Sequence, residues 1–201
     1  MLHIDEEGWL YSDDALAPVG RRASPNHNQR PAGTVVDLLV IHNISLPLGK
    51  FGGGHVEALF CNRLDCAADP AFADLRGLEV SAHLLIDRAG AITQFVSFHD
   101  RAWHAGKSRY AGRENCNDFS IGIELEGTDT LPYSDAQYRQ LTRVTQLLRE
   151  RFPALLPERI VGHCDIAPER KTDPGSAFDW RRFRGLLESP VIDPAWNMSG
   201  Q

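Results

Sequence analysis

Hydrophobic and polar positions in this chain follow two periods, and the alternation between them outlines the fold. Val36-Asp37-Leu38-Leu39-Val40-Ile41-His42 is almost continuously apolar and rich in β-branched residues, which predicts a central strand buried on both faces and ending at His42. His83–Asp87 and Ala91–Val96 flank Arg88-Ala89-Gly90, a hairpin signal. Phe119–Glu126 alternates with period two. Ile121, Ile123 and Leu125 therefore share one face, and Gly122, Glu124 and Glu126 share the other. Ser134-Asp135-Ala136-Gln137 is a capping box. It opens a helix with a Tyr138, Leu141, Val144, Leu147 and Leu148 stripe that stops near Pro153. A short strand over Arg159–Val161 leads to His163, and a last helix spans Phe178 to Leu187. Residues 20–33, with two prolines and several asparagines, read as a loop. Strands interleaved with helices predict an α/β fold, a mixed central sheet with helices on its faces. One domain over residues 1–201 is expected, its core at about 8–187 and 188–201 a loose tail.

Composition narrows the class of protein. A chain of 201 residues can bury about 70% of its unfolded surface without covalent staples. Its 42% hydrophobic and 24% charged residues are those of an ordinary soluble globule. A net charge of −6 argues against nucleic acid or an anionic membrane as partner. No run approaches the ~18 apolar residues of a membrane span, and the acidic start of the chain carries no secretory h-region. Cys61, Cys66, Cys116 and Cys164 lack zinc-ribbon spacing, so reduced thiols in the cytoplasm are the expectation. A monomer is the default, since no surface pattern encodes an assembly.

Candidate chemistry concentrates between Gly162 and Gly175. This stretch places His163, Lys171 and Asp173 in one loop pinned by Pro168 and Pro174. Ionisable groups cost several kcal/mol to desolvate unless paired or metal-bound, so the mixture suits a polar site better than a core. His42, at the end of its strand, could join His163 and Asp173. Two imidazoles and one carboxylate would leave the fourth position of a tetrahedral zinc open, as hydrolysis requires. Spacing alone leaves the alternative that each histidine caps a strand by hydrogen bonds.

Four stretches in order carry a family resemblance: Val40-Ile41-His42-Asn43-Ile44-Ser45; Ala102-Trp103-His104-Ala105-Gly106; Asn117 to Asp129; and Gly162 to Gly175. Together they resemble the N-acetylmuramoyl-L-alanine amidases, in particular the cytoplasmic branch of cell-wall recycling, from about Gly8 to Leu187. The resemblance implies the zinc amidase fold shared with peptidoglycan recognition proteins, with helices on both sides of a mixed sheet. It implies one Zn2+ per chain on His42, His163 and Asp173, with Glu124 and Lys171 catalytic. The implied substrate is an anhydro-muropeptide, cut at the amide between the lactyl group of anhydro-N-acetylmuramic acid and L-alanine. In that branch the hydrolysis also lowers the inducer of β-lactamase expression.

Around this set, Asn43, Trp103 and His104 are candidate substrate contacts, Trp103 as an aromatic platform. Alternation alone does not separate Glu124 from Glu126, and His83 reads as a hydrogen-bonded structural histidine. Glu79 and Asn115 stand where some family members carry arginines that bind the stem-peptide carboxylates, which leaves Arg101, Arg109 or Arg113 to substitute. A secreted or phage-type lytic amidase and a non-catalytic muropeptide-binding module are the competing functions.

Overall fold

The computed structural model describes residues 1–15 and 18–189. The tail expected over 188–201 falls, from residue 190 on, outside the described residues. Six strands form the central sheet, in the order Ile160–Gly162, Leu38–Ile44, Ser120–Glu126, Leu84–Ile86, Ile92–Gln94 and Gly20–Arg21. The first four are parallel, Leu84–Ile86 and Ile92–Gln94 form the antiparallel hairpin, and Gly20–Arg21 runs parallel at the edge.

The two central strands are near-continuous apolar runs because both faces are covered. On one face Leu39, Ile41, Ile121, Ile123 and Leu125 pack with Tyr138, Leu141, Val144 and Leu148 of the Asp135–Arg151 helix and Phe183 of the Trp180–Glu188 helix. Each fully buried side chain of this kind contributes roughly 1.5–3 kcal/mol. The long helix starts at the expected capping box, with Ser134 and Gln137 bonding reciprocally. On the other face Leu38 and Val40 meet Ala105, Cys116, Phe119, Val161 and Ile166. A further cluster there joins Leu85 and Phe95 to the short His55–Phe60 helix. The long helices thus cover one face, and short helices and loops cover the other, the face that carries His42 and Glu124.

Several boundaries differ from expectation. The first central strand starts at Leu38 and continues past His42 to Ile44, because all seven residues pair in parallel with Ser120–Glu126. His42 is therefore inside a strand, not at its end. Residues 20–33 contain two short strands, Gly20–Arg21 and His27–Gln29, the latter paired with Asp100–Ala102. Their pairing is made by backbone groups under largely exposed side chains, so no apolar alternation marks it. The hydrophobic core also begins before residue 8: Leu2–Ile4 and Leu10–Ser12 form a hairpin that buries Leu2 and Leu10. The last helix starts at Trp180 behind an Asp179 cap that accepts the Arg182 N–H.

His83 ties this sheet together. Its backbone N–H donates to the Gly122 carbonyl, its Nδ1 accepts the Gly122 N–H at 3.0 Å, and its Nε2 lies 3.1 Å from the Asp100 carbonyl. Burial, with Arg30 nearby, lowers its pKa to about 3. The unfolded chain therefore holds the extra proton between the ordinary value near 6.5 and about 3, so stability falls as pH falls through that window. The slope from this residue approaches ~1.4 kcal/mol per pH unit. Urea titrations between pH 7 and 4.5 should show a shallower decline for His83→Gln than for the parent. Parallel declines would remove His83 from the acid sensitivity.

Candidate metal centre

Three adjacent parallel strands deliver the site. In the register of Leu38–Ile44 against Ser120–Glu126, His42 pairs with Glu124 and Val40 with Gly122, so His42 and Glu124 lie side by side on the face away from the long helices. On the other flank Gly162 pairs with Ile41, and His163 follows as the first residue of a single-turn helix, His163–Ile166. The chain returns ten residues later at Asp173, whose carbonyl accepts the Cys164 N–H at 3.0 Å.

These three side chains converge. His42 Nδ1 lies 2.9 Å from His163 Nδ1, and Asp173 Oδ2 is 3.0 Å from each. His42 and His163 are 1% and 3% exposed. Burial pushes the His42 imidazole down to about 4, so it is neutral at physiological pH with a lone pair to offer. Burial alone would raise the Asp173 carboxyl, but the adjacent His163 and His42 hold it well below the usual carboxylate range. Imidazole nitrogen and carboxylate oxygen gathered within 3.0 Å of one another suit a divalent cation with ligands at ~2.0–2.2 Å. Among the described residues this is the one cluster of histidine, cysteine and carboxylate side chains so gathered. Three ligands leave a tetrahedral ion one open position.

The geometry also separates the two glutamates. Glu126 Oε1 accepts the Gly52 N–H at 2.6 Å and Oε2 the Arg88 N–H at 3.4 Å, so this carboxylate holds loops. Glu124 is 8% exposed, and its Oε2 is buried with no hydrogen-bond partner among the described residues. Burial, then Asp173, raises its pKa well above the ordinary value, and Lys171 acts in the opposite direction. Lys171 also disfavours protonation of His42, so its charge reaches both residues. It is half-buried and forms no ion pair among the described residues.

The expected substrate contacts are already engaged. Asn43 Nδ2 donates to Asp129 Oδ1 at 2.8 Å, and the half-buried Trp103 donates its indole N–H to Asn28 Oδ1. His104 stands behind His42: its Nδ1 is 2.9 Å from His42 Nε2 and its Nε2 is 3.1 Å from Ser120 Oγ. Glu79 and Asn115 are exposed. Arg113 pairs with Asp37 over the Phe119 ring, and Arg101 pairs with Asp118, which leaves the exposed Arg109 without an ion pair among the described residues. His3 and His27 pair with Asp13 and Asp100, the His55 ring packs at a tilt against Phe72, and His99 meets the Glu6 carbonyl.

Asp129 escaped sequence reasoning although it closes a motif stretch. Its Oδ2 accepts from Thr172 Oγ1 at 2.5 Å and its carbonyl accepts the Ala177 N–H, so it ties down both flanks of Asp173. A Cβ on Gly175 would strike the Asp129 backbone, and Gly175 has φ +79°. Only glycine fits there at low cost.

Residues 32–176 match the family of N-acetylmuramoyl-L-alanine amidases. The chain is 57% identical over 182 residues to the 1,6-anhydro-N-acetylmuramyl-L-alanine amidase AmpD of Citrobacter freundii, an alignment covering 90% of this chain and 94% of that protein. It superposes on the crystal structure of a selenomethionine AmpD derivative with TM-score 0.84 and 57% identity, covering 92% and 98% of the two chains. The complex of the amidase AmiD from E. coli with the substrate anhydro-N-acetylmuramic acid-L-Ala-D-gamma-Glu-L-Lys gives TM-score 0.57 and 27% identity, over 96% of this chain and 68% of that one.

A cation that binds only the folded chain stabilises it by mass action, about 2.7 kcal/mol at 100 times its Kd. Titrating zinc into metal-free protein should raise the unfolding midpoint accordingly, and Asp173→Ala should abolish the rise. An equal rise in that variant would remove Asp173 from the ligand set.

Proposed function

The chain belongs to the N-acetylmuramoyl-L-alanine amidase family, and on that premise we propose that its metal is zinc, held by His42, His163 and Asp173. The chain hydrolyses the amide joining the lactyl group of anhydro-N-acetylmuramic acid to the L-alanine of the stem peptide, in cell-wall recycling. The observation that carries the zinc reading is the convergence of three ligand atoms beside a buried glutamate with one unpartnered oxygen.

When bound, zinc supplies a Lewis acid that lowers the pKa of water from about 15.7 to about 7 and polarises an amide carbonyl. Glu124 is the proton carrier in this reading. Its carboxylate takes a proton from the attacking water and passes it to the departing L-alanine nitrogen, so one residue serves as base and then acid. The position supports this role, because Glu124 neighbours His42 across the sheet and has an oxygen uncommitted to the fold. Lys171 puts an ammonium where the carbonyl oxygen gains negative charge, worth roughly 3–4 kcal/mol for a well-placed donor. Trp103 offers the half-buried aromatic face expected of a sugar or peptide contact. Asn43, fixed by Asp129, follows His42 on the same strand.

The cytoplasm is the proposed compartment and a monomer the proposed state. The four free cysteines suit a reducing compartment, and no helix among the described residues is long and apolar enough to cross a membrane.

Glu124→Gln and Lys171→Met should each retain one zinc by metal analysis while kcat falls roughly 10²–10³-fold. Undiminished turnover in either variant would exclude that residue. With a defined anhydro-muropeptide, mass spectrometry should detect free stem peptide and anhydro sugar, and intact sacculi should stay turbid under the same conditions. Clearing of sacculi would instead indicate a lytic amidase.

A further inference from the structure

Hydrogen positions around the two histidine ligands follow from the atoms behind them. Ser120 Oγ lies 2.6 Å from the Cys116 carbonyl oxygen, and two oxygens this close need a proton between them. The Ser120 hydroxyl has only one proton, so it donates to Cys116 and can only accept from His104 Nε2 at 3.1 Å. A neutral His104 with its proton on Nε2 presents a bare Nδ1. That nitrogen must then accept from His42 Nε2–H at 2.9 Å. His42 is left with its lone pair on Nδ1, facing His163 and Asp173. His163 reaches the same condition by a different route, because its Nε2 donates to the Ala105 carbonyl at 3.2 Å and its Nδ1 faces the cluster.

Both outer acceptors come from consecutive residues of one segment. Asn117 Oδ1 fixes that segment by accepting the backbone N–H groups of His104 at 3.0 Å and Ala105 at 2.8 Å. Arg170 adds a guanidinium on the Ala105 carbonyl at 2.8 Å. Gly122 completes the seat: a Cβ there would overlap the His104 ring, so only glycine lets the ring lie over the strand behind His42.

We propose that the Trp103–Gly106 segment is the outer frame of the metal site. His104 and the Ala105 carbonyl lock both imidazoles to coordinate through Nδ1, and Ser120 is the anchor that sets the direction of the chain. His104 and Ser120 are positioning residues. The inference rests on the zinc reading above and assigns them a role separate from substrate contact. Outer partners of metal-bound histidines typically change metal affinity 10–100-fold.

The test uses the full chain loaded with zinc and two readouts other than turnover. Long-range proton–nitrogen correlation spectra of the histidine rings should show His42, His163 and His104 all protonated on Nε2. Chelator competition should show zinc affinity reduced about 10–100-fold in His104→Leu and about 10-fold in Ser120→Ala. His104→Asn, which returns an acceptor to the Nδ1 position, should recover most of the loss. Ser120→Ala leaves the His104 ring in place, so it reads the anchor even where His104→Leu fails to fold. Nδ1 protonation of His42 in the zinc-loaded protein, or unaltered affinity in folded His104→Leu or Ser120→Ala, would overturn the frame. Failure of the parent chain to bind zinc would overturn the zinc reading itself, and the frame with it.

Discussion

Two imidazole nitrogens and a carboxylate oxygen held within 3.0 Å of one another in a nearly dry interior form an arrangement that a cation stabilises and that its absence makes costly. Their lone pairs repel, and the two imidazoles are almost fully buried. The neighbouring features can be understood as responses to that constraint. Asp173 carries the negative charge that balances an ion, and burial keeps His42 neutral and available to coordinate. Glu124 stands one strand away with an oxygen the fold does not use, while Lys171 biases its charge from the loop.

The carboxylates around this centre divide the work. Glu126 and Asp129 are consumed by loop hydrogen bonds, the first to the amides of Gly52 and Arg88, the second to Asn43 and Thr172. Buried acceptors satisfied by fixed donors hold their geometry and have little capacity left for a reacting group. Glu124 is the exception, and an incompletely satisfied carboxylate is what proton transfer needs.

Much of this was legible in the chain. The near-continuous apolar run into His42 marks a strand buried on both faces, and the alternation around Glu124 puts that residue on the face opposite Ile121, Ile123 and Leu125, because successive side chains of a pleated strand point to opposite sides. The capping box at Ser134 fixed the start of the long helix. Polar Asn43 makes the first strand look as though it ends at His42, yet its side chain is satisfied by Asp129 while its backbone stays in the ladder. Gly20–Arg21 and His27–Gln29 carry no sequence signal, because pairing of short strands under exposed side chains leaves no hydrophobic pattern. His104 reads in the sequence as a candidate substrate contact because a residue type discloses chemistry but not direction; the structure sets its ring against His42. Its place behind His42 depends on Gly122, eighteen positions away, and no local pattern encodes that contact.

The parallel ladder that sets His42 opposite Glu124 has an implication for how this protein can change length. A one-residue insertion or deletion within Leu38–Ile44 or Ser120–Glu126 would turn every later side chain in that strand to the opposite face. His42 and Glu124 would then lie on opposite faces of the sheet. A change of length in a connecting loop such as the glycine-rich 49–54 segment leaves that register, and the pairing of His42 with Glu124, intact.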